Sequence, residues 1–319
     1  MTRHVLAADL GGTNLRMAVV AESGAILHSV RDATPESGDY AEIVSRIAET
    51  AKQCRDAVAS TASPARLSLA IPSSVRPYDG RILYSPALPK LNGSNLAEDV
   101  SRAAQVPVSL ENDANAAAVG ENWLGASKGF GTSICVTLGT GVGGGIILNG
   151  ALYRGIDGTA AEIGHVCIVP DGRPCGCGSR GCLEQYASAT AISRFARELA
   201  EVFPESVLND RKDVTSLEVF NAGMAGDARA LEVFRRMAYY LGAGLSGLVN
   251  VLNPEAIVIG GGAAAGWDLF IGDLRSELNK RAFQQPAERV KLLRAALGDD
   301  AGILGAARLA FENDSAVSV

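Results

Sequence analysis

The chain is 319 residues long, 47% hydrophobic and 20% charged, with a net charge of −6 and no basic run. That length exceeds one compact core, so two lobes are expected, and the absence of clustered Lys and Arg excludes nucleic-acid binding as the main task. No apolar stretch reaches membrane-spanning length and the N-terminus enters a strand without a secretory signal, so the expected compartment is the cytoplasm.

Taken in chain order, three β-rich runs at 5–10, 16–21 and 25–30 predict an antiparallel meander. A helix is expected over 40–60, a strand over 66–71, a long Gly- and Pro-punctuated loop over 72–94, a helix over 96–104 and a strand over 106–112. The pattern then restarts. Strands over 134–139 and 145–150 flank a second Gly-rich turn, 128 positions after the first when Gly139 is set against Gly11, which indicates an internal duplication. Helices follow over 191–202, 217–225 and 228–251, then a buried strand at 256–262, a helix over 269–281 and a last strand at 290–296. An Ala-rich helix over 302–311 is expected to pack back on the first lobe, and the tail from 312 to 319 is expected to be loose. The lobes would then comprise 1–112 with 300–319, and 113–299.

Four motifs carry chemistry. DLGGTN at 9–14 lies between two strands. Gly11 and Gly12 let the backbone approach an anion, Thr13 and Asn14 add donors, and Asp9 is placed to hold Mg2+ through water. On its own this motif is equally well a tight hairpin turn. TLGTGVGGG, with Thr140 and Gly141, matches GxGxxG formally, yet a strand follows it where a dinucleotide fold needs a helix. A second formal match, Gly242 to Gly247, lies in a helical stretch and reads as small residues easing helix packing. No Walker A lysine motif occurs. Two hairpin turns would instead cradle phosphates, with Gly260, Gly261 and Gly262 after the buried strand as a floor for adenine.

ENDAN at 111–115 joins a strand to a helix. Asp113 there is either a helix cap or the base that a kinase acting on an alcohol requires. Last, His165, Cys175, Cys177 and Cys182 fall within eighteen positions, with glycines between, and make a Cys3His zinc set. Four protein ligands leave no open position, so the Zn2+ would be structural. Cys167 is left out of the set and expected to face a core. The loop itself is Gly-rich and short of apolar anchors, so the metal would be its main support.

Together these motifs resemble the ROK family of repressors, open reading frames and kinases over essentially the whole chain, and within it the bacterial ATP-dependent glucokinases. The resemblance implies an α/β, two-lobed, actin-like (ribonuclease H-like) fold with the site in a cleft, ATP as donor, and phosphorylation of a hexose, glucose first, at the 6-hydroxyl. It implies Asp113 as base, with Asn112, Asp113, Glu162, His165 and Glu184 on the sugar. It also implies a homodimer or higher assembly, to which the apolar stretch from Tyr239 to Leu252 would contribute. Loss of zinc is expected to weaken sugar binding and to spare nucleotide binding, because the phosphate turns lie elsewhere in the chain. One stretch departs from the family. Ser73, Arg76 and Ala87 stand where Gly, Asp and Asn are usual near the sugar, which leaves N-acetylmannosamine, fructose or mannose as alternative acceptors, and a non-catalytic sugar sensor as a further one. A family repressor would carry a DNA-binding segment ahead of DLGGTN, where only eight residues precede Asp9.

Overall fold

A computed structural model describes residues 2–316, with side chains through Glu312. Strands β1 (His4–Leu10), β2 (Asn14–Ala21) and β3 (Ile26–Ala33) form the expected antiparallel meander, registered by Asp9 opposite Arg16 and Asn14 opposite Ala33. Helix α1 (Tyr40–Val58) is capped by Asp39, whose carboxylate accepts the Ala41 and Glu42 amides. Its Ile43, Ile47, Ala51, Cys54 and Val58 recur at helical spacing and are buried on one face of the sheet. Strand β4 (Leu67–Ile71) follows, then short strands β5 (Ser74–Val75) and β6 (Ile82–Tyr84), α2 (Leu96–Ala104), β7 (Val108–Asn112) and α3 (Asp113–Trp123).

The chain continues through β8 (Ser133–Leu138), β9 (Val142–Leu148) and β10 (Ala151–Leu152). Then come α4 (Glu184–Ala187), α5 (Ala189–Glu198), α6 (Ser216–Met224), α7 (Ala228–Leu252), β11 (Ala256–Gly260), α8 (Trp267–Arg281), α9 (Gln284–Arg289), β12 (Lys291–Arg294) and α10 (Ala301–Ala316). Two five-stranded sheets result, in the orders β3-β2-β1-β4-β7 and β10-β9-β8-β11-β12. In each, a hairpin strand pairs in parallel with a buried strand, which pairs in parallel with an outer one. The same order in both sheets is the duplication that the offset of the glycine turns predicts.

Two compact units divide the chain: Met1–Gly129 with Gly145–Ala161 and Ala296–Val319, and Phe130–Gly144 with Glu162–Ala295. The expected break at 112/113 is displaced because α3 belongs with the first unit. It packs on α10 at two glycines: a Cβ on Gly120 would stand 2.3 Å from the Ala301 carbonyl, and one on Gly305 1.7 Å from that of Ala116. Glu121 adds a buried carboxylate that accepts the Ala126, Ala296 and Leu297 amides, which satisfies a charge that burial would otherwise penalise. The other face of α10 covers Val5, Ala7, Ala18, Val20 and Ala70 of the first sheet with Ile303, Leu304, Ala307 and Phe311.

Three further expectations change. The 72–94 loop contains the β5–β6 hairpin and a 3-10 turn at Pro89–Leu91. The last helix runs on to Ala316, past the predicted end, and the rest of the predicted loose tail lies outside the described residues. Cys167 is exposed: it lies in an irregular loop with a single backbone bridge to Cys182, not in a strand packed on a core. The helix-packing reading of Gly242 holds, since a Cβ there would lie 2.6 Å from Glu277 of α8. Among the described residues no helix is long and apolar enough to cross a membrane.

Candidate active site

In the first unit, the turn after β1 is fixed from behind. The Gly11 N–H donates to the Asn14 carbonyl (2.8 Å), the Thr34 N–H to that of Thr13 (2.9 Å), and the Thr34 hydroxyl to that of Gly11 (2.7 Å). Gly12, Thr13 and Asn14 face outward, exposed. Asp9 sits partly buried at the foot of this turn. Burial raises its carboxyl above the usual carboxylate range, against the pull of Arg16 and with a push from Asp299.

At the end of β7, the helix cap is Asn112, not Asp113: its Oδ1 accepts the Asn115 amide at 3.0 Å. Asp113 is thereby relieved of the capping role and stands at the first helical position, accepting the Ala114 amide at 2.8 Å. Glu111, buried, braces the whole junction. Its Oε1 accepts the Asn112 amide (3.1 Å) and the Asn115 side chain (3.0 Å), while Oε2 accepts Arg154 Nε (2.7 Å). Asn112 also donates to the Ser73 carbonyl at 3.4 Å. Arg154 belongs to none of the sequence motifs and lies between them. Its one available signal was being the lone charge between Leu148 and Asp157.

The departures from the family pattern are absorbed locally. Ser73 is buried with its hydroxyl 2.8 Å from that of Ser85. Arg76 turns onto its own hairpin, paired with Asp79 and lying over the Tyr78 ring at 4.7 Å. That pairing holds the Asp79 carboxyl below its ordinary range. Ala87 lies against the first glycine turn, 3.7 Å from where a Cβ on Gly12 would be.

In the second unit, the ligand atoms of His165, Cys175, Cys177 and Cys182 lie within 4.8 Å of one another. The Cys177 and Cys182 sulfurs are 3.7 Å apart, and Cys175 Sγ is 3.6 Å from His165 Nδ1. Tetrahedral zinc, with bonds of about 2.3 Å to sulfur and about 2.0 Å to nitrogen, requires edges of about 3.8 and about 3.5 Å, so the set fits that ion. The facing nitrogen is Nδ1, which leaves Nε2 directed away from the thiols. The loop also has an anchor besides its thiols: the Tyr186 hydroxyl accepts the Arg173 amide at 2.9 Å, and Arg173 pairs with Glu198 at 2.7 Å. Glu162 is exposed, three residues before His165.

Thr140 and Gly141 form the turn after β8, and Gly261 (φ +84°) abuts the end of the same strand, where a Cβ would meet the Leu138 carbonyl at 2.5 Å. The structure therefore brings Thr140, Gly141, Gly261 and Gly262 to neighbouring strand ends of this unit. The second glycine turn, distant in sequence from the metal loop, touches the helix that follows that loop. Glu184 Oε2 accepts the Val142 amide at 3.1 Å, across forty-two residues of sequence.

A model of the ROK family matches residues 5–313. This chain belongs to the ROK family. It is 35% identical over 97% of its length, and 97% of the relative's, to a glucokinase of Thermotoga maritima. The solved structure of a ROK family glucokinase from Streptomyces griseus in complex with glucose and AMPPNP is 35% identical, with a TM-score of 0.83, covering 97% of this chain and 99% of that one. A ROK family transcriptional regulator, a homologue of the E. coli MLC protein, superposes with a TM-score of 0.87 at 26% identity, over 95% of this chain and 76% of its own. The fold is accordingly the α/β, two-lobed, actin-like fold of ROK sugar kinases.

Proposed function

We propose that this protein is a cytoplasmic ATP-dependent glucose kinase that transfers the γ-phosphoryl group of ATP to the 6-hydroxyl of glucose. Full-length likeness to glucokinases supports it, one of them solved with glucose and an ATP analogue. The observation that carries it is the state of Asp113, placed at the head of α3 with the cap supplied by Asn112 and the junction braced by Glu111. In this reading Asp113 accepts the hydroxyl proton while the sugar oxygen bonds to the γ-phosphorus and ADP leaves with the electrons of the broken P–O bond. Asn112, Glu162, His165 and Glu184 hold the sugar hydroxyls, His165 through Nε2. The turns at Gly11, Gly12, Thr13 and Asn14 and at Thr140 and Gly141 receive phosphates, and Gly261 and Gly262 receive adenine. Asp9 would hold Mg2+, which supplies charge neutralisation on the phosphates. His165, Cys175, Cys177 and Cys182 would hold Zn2+, which gives the loop its shape.

Asp113→Ala tests the base: turnover should fall about a hundred- to ten-thousand-fold while the glucose dissociation constant stays near that of the wild type. Near-normal turnover would remove Asp113 from the role. A coupled ADP-release assay over glucose, mannose, fructose and N-acetylmannosamine fixes the acceptor, with glucose expected to give the highest kcat/KM. We also infer a symmetric homodimer, supported by the exposed Tyr239, Val251 and Phe283. Sedimentation at micromolar concentration should give twice the chain mass, and a monomer would end this inference.

A further inference from the structure

The second glycine turn is held by the metal loop and the helix that follows it. The Val142 N–H donates to Glu184 Oε2, the Ala189 N–H to the Gly139 carbonyl at 2.8 Å, and the Thr190 hydroxyl to the Thr140 carbonyl at 2.8 Å. Packing is equally close. A Cβ on Gly141 would stand 2.2 Å from Glu184 Oε2, and one on Gly164 2.1 Å from the Val142 carbonyl. Glu184 is the one charged group among these supports. It opens α4 two residues after Cys182, and its Oε1 lies 4.0 Å from Cys175 Sγ.

We propose that Glu184 is a positioning residue for the nucleotide: its Oε2 fixes the turn from Gly139 to Val142 in its phosphate-receiving shape, so that the metal loop sets nucleotide affinity even with no sugar bound. This rests on the reading of that turn as a phosphate site. Two effects compete at this position. A carboxylate accepting a backbone N–H makes a charge-assisted bond that orders the turn; the same negative charge repels an arriving polyphosphate. The close fit of Gly141 and Val142 to the carboxylate indicates that ordering wins, since a merely repelled turn would have no need of contact.

The amide isolates the two. Gln keeps an acceptor oxygen for the Val142 N–H and drops the charge; Ala drops both. AMPPNP, titrated calorimetrically without sugar, should bind about tenfold more weakly to Glu184→Ala, the loss of one hydrogen bond to a charged group. Glu184→Gln should bind it as tightly as the wild type, or more tightly, while losing glucose affinity. Metal content and melting are measured on both. AMPPNP binding to Glu184→Ala at wild-type strength or better would overturn the proposal. Should that variant not fold, Gly141→Ala serves, because its Cβ would displace the carboxylate from the turn's side. Its AMPPNP affinity, measured without sugar, should drop about fivefold or more, and an unchanged value would overturn the proposal too. A wild type that binds AMPPNP yet phosphorylates no hexose would defeat the functional reading and leave the Ala–Gln comparison decisive for Glu184.

Discussion

The two glycine turns occupy equivalent places in two sheets of the same strand order, yet they are held in different ways. At the shared offset Asp9 corresponds to Thr137, Gly12 to Thr140, Thr13 to Gly141 and Asn14 to Val142. The first turn is closed by its own neighbour strand, through the Thr34 backbone and hydroxyl, and carries a carboxylate at its foot. The second has no carboxylate of its own and takes one from Glu184, in a loop built around four metal-ligating side chains. Duplication preserved the hydrogen-bonded ladder, which is generic, and left each turn's support to separate invention. A turn held by its own sheet is stable whenever the sheet is; a turn held by a distant loop inherits that loop's conditions.

The largest test of this difference is Cys177→Ser. The metal should be lost, and glucose and AMPPNP affinities should both weaken by about ten- to a hundredfold, as when groups that orient a site are removed. Intact AMPPNP binding in the folded, metal-free protein would show that the second turn is as self-sufficient as the first. A smaller effect is expected at Thr34→Val, which removes the hydroxyl from the Gly11 carbonyl. It should cost about 1 kcal/mol in chemical denaturation and leave metal content unchanged. Equal losses from these two variants in nucleotide binding would erase the distinction. Smallest, Asp9→Asn should raise the melting temperature of the ligand-free protein. The folded-state pKa of Asp9 is raised, so its contribution to stability is present at low pH and is lost as pH rises through that pKa. Asn has no charge to bury, so its advantage should be largest near pH 8 and shrink towards pH 4. A difference that stays constant with pH would show that burial is not what perturbs Asp9.

Much of this was legible in the sequence because it is local. The α2 boundaries, the meander and the stripe on α1 follow from periods of 2 and 3.6. The Cys3His set follows from spacing alone. What escaped depends on contacts distant in sequence. Nothing near Val142 announces Glu184, and nothing near Asp113 announces that α3 would pack on α10 through Gly120 and Gly305. Those crossings moved the division of the chain. The β5–β6 hairpin escaped for a different reason: two- and three-residue strands between Pro and Gly have no period to read. Nor does the fold discriminate among its users, since a transcriptional regulator superposes at least as well as a glucokinase. The weight therefore rests on Asp113, the glycine turns and the thiol loop.

The covering of the first sheet by α10 also has a consequence for synthesis. Ribosomes release the N-terminus first, and domains generally fold in that order. Here the sheet of β1, β2 and β4 has one face sealed early by α1 and α2, while its other face waits for Ile303, Leu304, Ala307 and Phe311. Every part of the second unit has been made before those residues exist. The half of the molecule translated first is therefore the last to be finished, and during that interval Val5, Ala7, Val20 and Ala70 present an uncovered apolar surface to the cell.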